Sequence, residues 1–143
     1  MSRGFVIALL GAESTGKTTL AEALVHALRG DGRSAALVTE YLREFCDEHQ
    51  RTPRQAEQAG IADMQTLRIA DAARSADVVV ADTTALMIAV YSHKVFDDTG
   101  LYASALDAHR ACDLTLLTAL DLPWQADGLQ RDGPQVQIGR AHV

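Results

Sequence analysis

Residues 5–19 of the chain read FVIALLGAESTGKTT, and they carry the strongest indication of the fold. The run from Phe5 to Leu10 is entirely apolar, which is typical of a parallel strand that is buried on both faces. Gly11 ends this run, and from Lys17 onward the apolar residues recur at the spacing of an α-helix. The predicted apolar face of that helix consists of Leu20, Ala23, Leu24, Ala27 and Leu28. The stretch therefore predicts a buried strand, a glycine-containing turn and an amphipathic helix.

The turn between them, residues 11–18, fits the pattern G-x-x-x-x-G-K-T. Gly11 and Gly16 permit close approach of the backbone to a ligand, and the amide N–H groups of such a turn form an anion-binding nest at the positive end of the helix dipole. In this loop Lys17 reaches the β- and γ-phosphates of a nucleotide, and the Thr18 hydroxyl binds Mg²⁺. A turn that only linked strand to helix would not explain both residues at these offsets. The predicted ligands of ATP or GTP are Gly11, Glu13, Ser14, Thr15, Gly16, Lys17, Thr18 and Thr19.

Further apolar runs predict strands at 35–39, 78–82 and 114–117, and helical patterns cover about 42–49, 53–76, 86–91 and 101–111. Strands that alternate with helices imply right-handed βαβ units and therefore a parallel sheet. The predicted fold class is α/β, a three-layer P-loop NTPase fold in one domain that spans 1–137. P-loop kinase sheets usually have five strands, so a fifth strand with its helix is expected beyond the end of the sequence.

The helix after Thr52 has the most distinct predicted start. Thr52 would cap it, Pro53 would occupy its first position, and Gln55 would close a capping box. The predicted buried side of this helix consists of Ala56, Ala59, Leu67, Ala70 and Ala73.

Two acidic residues, Glu40 and Asp82, follow predicted strands at the sheet edge where ligands of open α/β folds bind. Asp82 ends a β-branched run and resembles the carboxylate that holds Mg²⁺ near a phosphate loop, although it could instead bind a substrate hydroxyl or cap the next helix. Glu40 could accept a proton from a substrate hydroxyl. It could equally begin a solvated helix with an internal Arg–Glu pair.

The helix at 42–49 buries Leu42, Phe45 and Cys46 in this interpretation. Tyr41, Arg43 and Glu44 would then lie off its apolar face, where a ligand could contact them. Trp124 could stack on a flat ring or hold its own loop against the core; the sequence does not separate these roles.

The composition of the chain, 48% apolar and 22% charged over 143 residues, is that of an ordinary globular domain. Its net charge of −6 argues against nucleic acid as the main partner. No run is long enough for a transmembrane span. The two cysteines, Cys46 and Cys112, do not make a disulfide scaffold, so the cytoplasm is the predicted location.

The last six residues, Ile138 to Val143, read like the in-frame translation of a sequencing-adapter oligonucleotide. We therefore expect 138–143 to be an artefact and the natural sequence to continue past Gln137. An unpaired sheet edge would make the chain as given poorly stable.

Several segments together resemble the AAA-type domain of the NadR family, which carries nicotinamide riboside kinase activity. The similar segments are, in chain order, 11–19, 40–45, 82–83, 113–117 and 123–129. The resemblance implies a nucleoside-kinase-like fold that uses Mg-ATP to phosphorylate the ribose hydroxyl of nicotinamide riboside or a related nucleoside. It implies an acceptor pocket lined by Glu40, Tyr41, Arg43 and Asp82.

The resemblance also implies a lid over the phosphates, formed around Asp127. An arginine often follows the Asp-Gly-Leu of that lid, whereas here Gln130 intervenes before Arg131. Bifunctional members carry an adenylyltransferase domain ahead of the kinase, and since Met1 lies just before the first strand, none is expected here. Two other functions stay open: a kinase for a different nucleoside or nucleotide, and a regulatory module that binds ATP and signals without phosphoryl transfer.

Overall fold

The computed structural model of the chain describes residues 3–11 and 16–118. Within these residues the strands are β1 Phe5–Leu10, β2 Ala35–Val38, β3 Val78–Asp82 and β4 Leu114–Leu117. The helices are α1 Lys17–Gly30, α2 Tyr41–His49, α3 Gln58–Ala73, α4 Ala85–Phe96 and α5 Tyr102–His109, and a 3-10 turn, Gln55–Glu57, precedes α3. The prediction of an α/β fold with four parallel strands is confirmed.

The described strands form one parallel sheet in the order β2-β3-β1-β4. Alternate residues of β3 enter different cores: Val79 packs with Ala73 of α3, and Val80 packs with Ala21 and Val25 of α1. Both faces of the central strands are therefore covered by helices, which explains why β3 is apolar without alternation. This arrangement is the predicted three-layer architecture.

The sheet order determines which strand ends meet. β1 lies between β3 and β4, and its register places Leu9 beside Asp82. The turn that follows β1 and the carboxylate that ends β3 therefore lie next to each other at the carboxyl edge of the sheet.

The buried face of α1 differs from the predicted one. Ala21 and Val25 are buried, whereas Leu20 is 38% exposed and Ala23 and Ala27 face solvent. Leu24 and Leu28 lie at the margin of the packed face. The prediction placed the leucines on the buried face. In the structure the face with Ala21 and Val25 packs on the sheet instead, because the small Ala21 side chain lets the helix approach the sheet closely.

The start of α3 also differs from prediction. Thr52 and Gln55 do not cap it; the chain stays extended to Arg54, whose N–H donates to the Glu57 carboxylate over 2.7 Å. The side chain of Gln55 instead donates to Asp98 over 3.2 Å. The carboxylate of Glu57 is the stronger acceptor, because hydrogen bonds to a charged group exceed those to an amide.

The buried side of α3 was predicted wrongly for most of its residues. Ala73 is buried as expected, but Leu67 is 56% exposed, and Ala56, Ala59 and Ala70 are exposed as well. The residues of α3 that are buried are Gln58, Ile61, Ala62, Gln65 and Ala73. A search for apolar periodicity does not count glutamine as a core residue, so the two buried glutamines concealed the true face.

The remaining helices pack on one another through Phe45 of α2, Ile61 of α3, Ile88 of α4 and Ala105 of α5. Thr84 caps α4 by accepting a hydrogen bond from the Leu86 N–H over 3.3 Å. In the described part of the chain no helix is both long and apolar enough to span a bilayer.

Candidate nucleotide-binding site

The site begins at the N-terminus of α1. Gly16 occupies the N-cap position with φ 77°, in the left-handed region that favours glycine. No side chain caps this helix end and its first turn carries no acidic residue. The N–H groups of a helix end without a side-chain cap can bind an anion, which the helix dipole also favours.

Lys17, Thr18 and Asp82 form the centre of the site. The Lys17 ammonium donates to Asp82 Oδ1 over 2.5 Å, and the Thr18 hydroxyl donates to Asp82 Oδ2 over 2.8 Å. Lys17 is 7% exposed and Asp82 is 1% exposed. The predicted phosphate ligand, the predicted metal ligand and the strand-end carboxylate are therefore in direct contact, although 64 residues separate Thr18 from Asp82.

Asp82 does not cap the following helix, because Thr84 does. Its carboxylate is therefore committed to the site, and the alternative of a helix cap was wrong. Aspartate and threonine oxygens are hard ligands of the kind that Mg²⁺ prefers.

Mg²⁺ fits this donor set if phosphate oxygens and water complete its shell. Among residues 3–11 and 16–118, no group of three or more His, Cys, Asp or Glu side chains could hold a metal ion. Protein sites for Mg²⁺ in phosphoryl transfer usually contribute one or two ligands, with the rest from substrate phosphates and water. If a phosphate anion replaced Asp82 as the partner of Lys17, the Asp82 carboxylate and the Thr18 hydroxyl would remain side by side as two protein ligands for Mg²⁺.

Gly11 is required for steric reasons at the end of β1. A Cβ on this residue would lie 1.9 Å from Thr118 Oγ1. The Thr118 N–H donates to the Leu10 carbonyl over 2.8 Å, which holds the end of β4 against the turn. A side chain at position 11 would force Thr118 to move, and the φ of 153° at Gly11 is strained for residues other than glycine.

Thr83 follows Asp82 in a strained backbone conformation. Its φ is 87°, unusual for a β-branched residue, and it is 1% exposed. Its N–H donates to the carbonyls of Leu9 and Ala81 over 3.0 and 2.9 Å. Such strain persists only where surrounding contacts over-determine the backbone, and it is concentrated at functional sites.

The predicted acceptor residues Glu40, Tyr41 and Arg43 lie at the neighbouring strand end, where β2 leads into α2. Arg43 Nη2 lies 3.6 Å from Glu40 Oε1, so the Arg–Glu pair that the sequence allowed is present. The Tyr41 ring packs against the helical core, and the Arg68 guanidinium lies 4.7 Å from it. Only part of the Tyr41 surface is therefore open to a ligand. The expectation that Tyr41 lies off the apolar face was wrong, because it is partly buried against the helical core.

Sequence reasoning missed two residues of α3, Gln65 and Arg68. Gln65 is fully buried and contacts the ends of β2 and β3. Arg68 pairs with Glu44 over 2.7 Å while it lies against Tyr41. Their spacing of three residues places them on one helix face, but nothing in the sequence states that this face meets the strand ends.

Of the remaining predicted site residues, the structure describes only Thr19. Thr19 lies in the first turn of α1 and is exposed. The predicted residues Glu13, Ser14, Thr15, Trp124, Asp127 and Arg131 lie outside the described residues, as does the suspected artefact at 138–143. Their roles stay predictions.

A three-layer fold around a parallel sheet, with this loop, lysine and strand-end aspartate, defines a P-loop NTPase fold. A family model described as an AAA domain matches residues 6–141, and the chain belongs to that family. No curated protein matches the sequence of the chain.

Solved structures resemble the fold at low sequence identity. A mutant APS kinase from Mycobacterium tuberculosis superposes with a TM-score of 0.55 at 17% identity, over 87% of this chain and 80% of that one. The cell division protein FtsY of Thermotoga maritima gives 0.49 at 21% identity, over 82% of this chain and 44% of that one. The first likeness supports the fold, and the second is too weak to carry an argument.

Proposed function

We propose that the protein binds Mg-ATP and transfers its γ-phosphoryl group to a hydroxyl of a small molecule. The contact of Lys17 and Thr18 with the buried Asp82, at the uncapped start of α1, carries this proposal. The kinase-like fold supports it. Nicotinamide riboside is the acceptor to test first, because of the resemblance to the NadR family.

The bound Mg-ATP would supply the phosphoryl group and a divalent charge. Lys17 would exchange Asp82 for phosphate oxygens and neutralise charge that develops during transfer. Asp82 and Thr18 would hold the metal, and the N–H groups at the start of α1 would orient the phosphates. These residues would position the nucleotide and neutralise its negative charge, and these two tasks are most of what phosphoryl transfer requires of a protein.

The acceptor would bind beside Glu40, Tyr41 and Arg43. Its hydroxyl oxygen would form a bond to the γ-phosphorus while the bond from that phosphorus to the β–γ bridging oxygen breaks, which releases ADP. The hydroxyl proton would pass to the Glu40 carboxylate as the base, since Asp82 is occupied with the metal. Arg43 supplies a charge-assisted donor for oxygens of the acceptor.

The test is ADP release from Mg-ATP by the purified chain, with and without nicotinamide riboside. Lys17→Ala is the blank, and Lys94→Ala, which removes an exposed lysine of α4, is the matched control. We expect the riboside to stimulate release in the unaltered chain and in Lys94→Ala, and Lys17→Ala to abolish it.

ATP binding without stimulation would remove nicotinamide riboside as the acceptor, and a panel of other nucleosides would follow. If no acceptor stimulates release although ATP binds, phosphotransferase activity is refuted and the regulatory ATP-binding module takes its place. Failure to bind ATP at all would overturn both.

A further inference from the structure

We infer that Gln65 is a positioning residue that ties the end of β3 to the start of α2. It thereby holds Asp82, at the end of β3, in a fixed position relative to Glu40 and Tyr41, at the start of α2. This inference rests on the proposed function, because it assigns Gln65 a task in the same site. Its warrant is a set of hydrogen bonds that join the two strand ends through one buried side chain.

Gln65 joins the two strand ends through three hydrogen bonds. Its Oε1 accepts from the Tyr41 N–H over 2.8 Å, and its Nε2 donates to the carbonyls of Thr39 and Thr83 over 3.3 and 3.2 Å. Gln65 is 0% exposed, so water does not compete for these bonds. A buried amide that loses its partners carries a desolvation penalty, so the three backbone groups and the side chain hold one another in place.

Thr83 makes this contact consequential. Its backbone is strained at φ 87°, and the Gln65 bond to its carbonyl joins the Leu9 bond to its N–H in restraining that conformation. Asp82 immediately precedes Thr83, so a relaxation of Thr83 would turn the carboxylate away from Lys17 and Thr18. Loss of a hydrogen bond that orients a metal ligand in this way commonly lowers metal affinity.

The chain offers a matched control for this residue on the same helix. Gln58 is also 0% exposed, yet neither of its amide atoms has a hydrogen-bond partner among the described residues. Gln58→Met and Gln65→Met are therefore the same substitution at the same burial, and they differ in whether strand-end bonds are lost. Gln65→Glu is the third variant, since its carboxylate can still accept from Tyr41 but cannot donate to Thr39 and Thr83.

The experiment measures the Mg²⁺ concentration that gives half-maximal binding of a fluorescent ATP analogue to the full chain. Hydrogen exchange of the Tyr41 and Thr83 amides is measured beside it. We expect Gln65→Met to raise the Mg²⁺ midpoint about tenfold and to speed exchange at both amides. Gln65→Glu should raise the midpoint while Tyr41 stays protected, and Gln58→Met should match the unaltered chain in every readout.

A Mg²⁺ midpoint for Gln65→Met and Gln65→Glu within twofold of the unaltered chain would overturn the inference, whatever the melting temperatures do. Should Gln65→Met fail to fold, Gln65→Glu decides by the same midpoint. Should the unaltered chain bind no nucleotide, the proposed function fails, and hydrogen exchange alone decides: the inference then falls if Thr83 exchanges as slowly in Gln65→Met as in Gln58→Met.

Discussion

Two ion pairs at neighbouring strand ends differ in nearly every physical respect. Lys17 and Asp82 lie 2.5 Å apart with side chains 8% and 2% exposed, whereas Arg43 and Glu40 lie 3.6 Å apart with side chains 48% and 14% exposed. Charges in a low-dielectric interior interact strongly, and exposed charges are screened by water and salt. Under the proposed function, Lys17 and Asp82 form the phosphate side, which is held in place before a ligand binds, and Glu40 and Arg43 form the acceptor side, which can adapt to what it binds.

The order of the strands explains this difference. Lys17 and Asp82 follow β1 and β3, which pair with each other in the interior of the described sheet, whereas Glu40 and Arg43 follow β2, which pairs with β3 alone there. Central strands bury the groups at their ends more completely than edge strands do. Chemistry common to many substrates can then reside on the rigid side, and discrimination between substrates on the adaptable side.

The largest expected effect comes from Asp82→Ala. The change leaves the Lys17 ammonium buried without its counter-charge, so the free energy of unfolding should fall by about 3–5 kcal/mol, measured by denaturant titration. Asp63→Ala, at an exposed position of α3, should change it by less than about 0.5 kcal/mol.

The double variant with Lys17→Met and Asp82→Leu sharpens this prediction. It removes both charges, so most of the lost stability should return, because apolar replacement of a buried ion pair is often neutral or stabilising. A double variant less stable than Asp82→Ala would mean that the ion pair itself holds the two strand ends together.

A smaller effect, on function alone, is expected for Arg43→Ala. The Arg43 guanidinium is half exposed and lies 3.6 Å from Glu40, so its loss should leave the melting temperature nearly unchanged, while the KM for the acceptor should rise about tenfold through loss of a charge-assisted hydrogen bond. The measurement is initial-rate kinetics at saturating Mg-ATP with the acceptor that the ADP-release assay identifies.

Arg33→Ala is the control for Arg43→Ala. Its guanidinium lies 3.7 Å from Asp31 in a more exposed pair after α1, so both KM and melting temperature should stay unchanged. An Arg43→Ala enzyme that lost stability instead of acceptor affinity would show that α2 is as fixed as the phosphate side.

The smallest effect concerns the support behind the phosphate side. His109 contacts Thr84 Oγ1 through Nδ1 at 2.9 Å and Thr115 Oγ1 through Nε2 at 2.8 Å, which joins the start of α4 to β4. Burial lowers the pKa of His109 below its ordinary value of 6.5. Below pH 6.5 the unfolded chain therefore binds this proton more readily, so stability should fall by a small amount as pH decreases through that value and level off below the folded-state pKa.

Thermal melts between pH 8 and pH 5 check this sign. The His109→Gln variant should lose part of the slope near pH 6.5, whereas His26→Gln, at an exposed position of α1, should keep all of it. Equal slopes in the two variants would assign the pH dependence to other groups.

Local patterns in the sequence predicted the elements well and their packing less well. The apolar run before Gly11 and the glycine–lysine pair of the turn fixed β1 and the start of α1, because strand period and turn chemistry depend on neighbouring residues. The buried faces of α1 and α3 were harder to predict. Ala21 and Gln65 are buried where the apolar pattern favoured Leu20 and Leu67, since burial follows the fit between elements and not hydrophobicity alone.

Local sequence alone predicts that a buried strand, a phosphate-type loop and a helix follow one another, and that Lys17, Thr18 and Asp82 are of the residue types that such a site needs. Three features depend on the folded chain: Asp82 contacts both Lys17 and Thr18, Thr84 rather than Asp82 caps α4, and Gln65 joins two strand ends. The reason is physical: backbone preferences are set by adjacent residues, whereas these contacts join residues far apart in the chain and exist only because the strands pair in the order β2-β3-β1-β4.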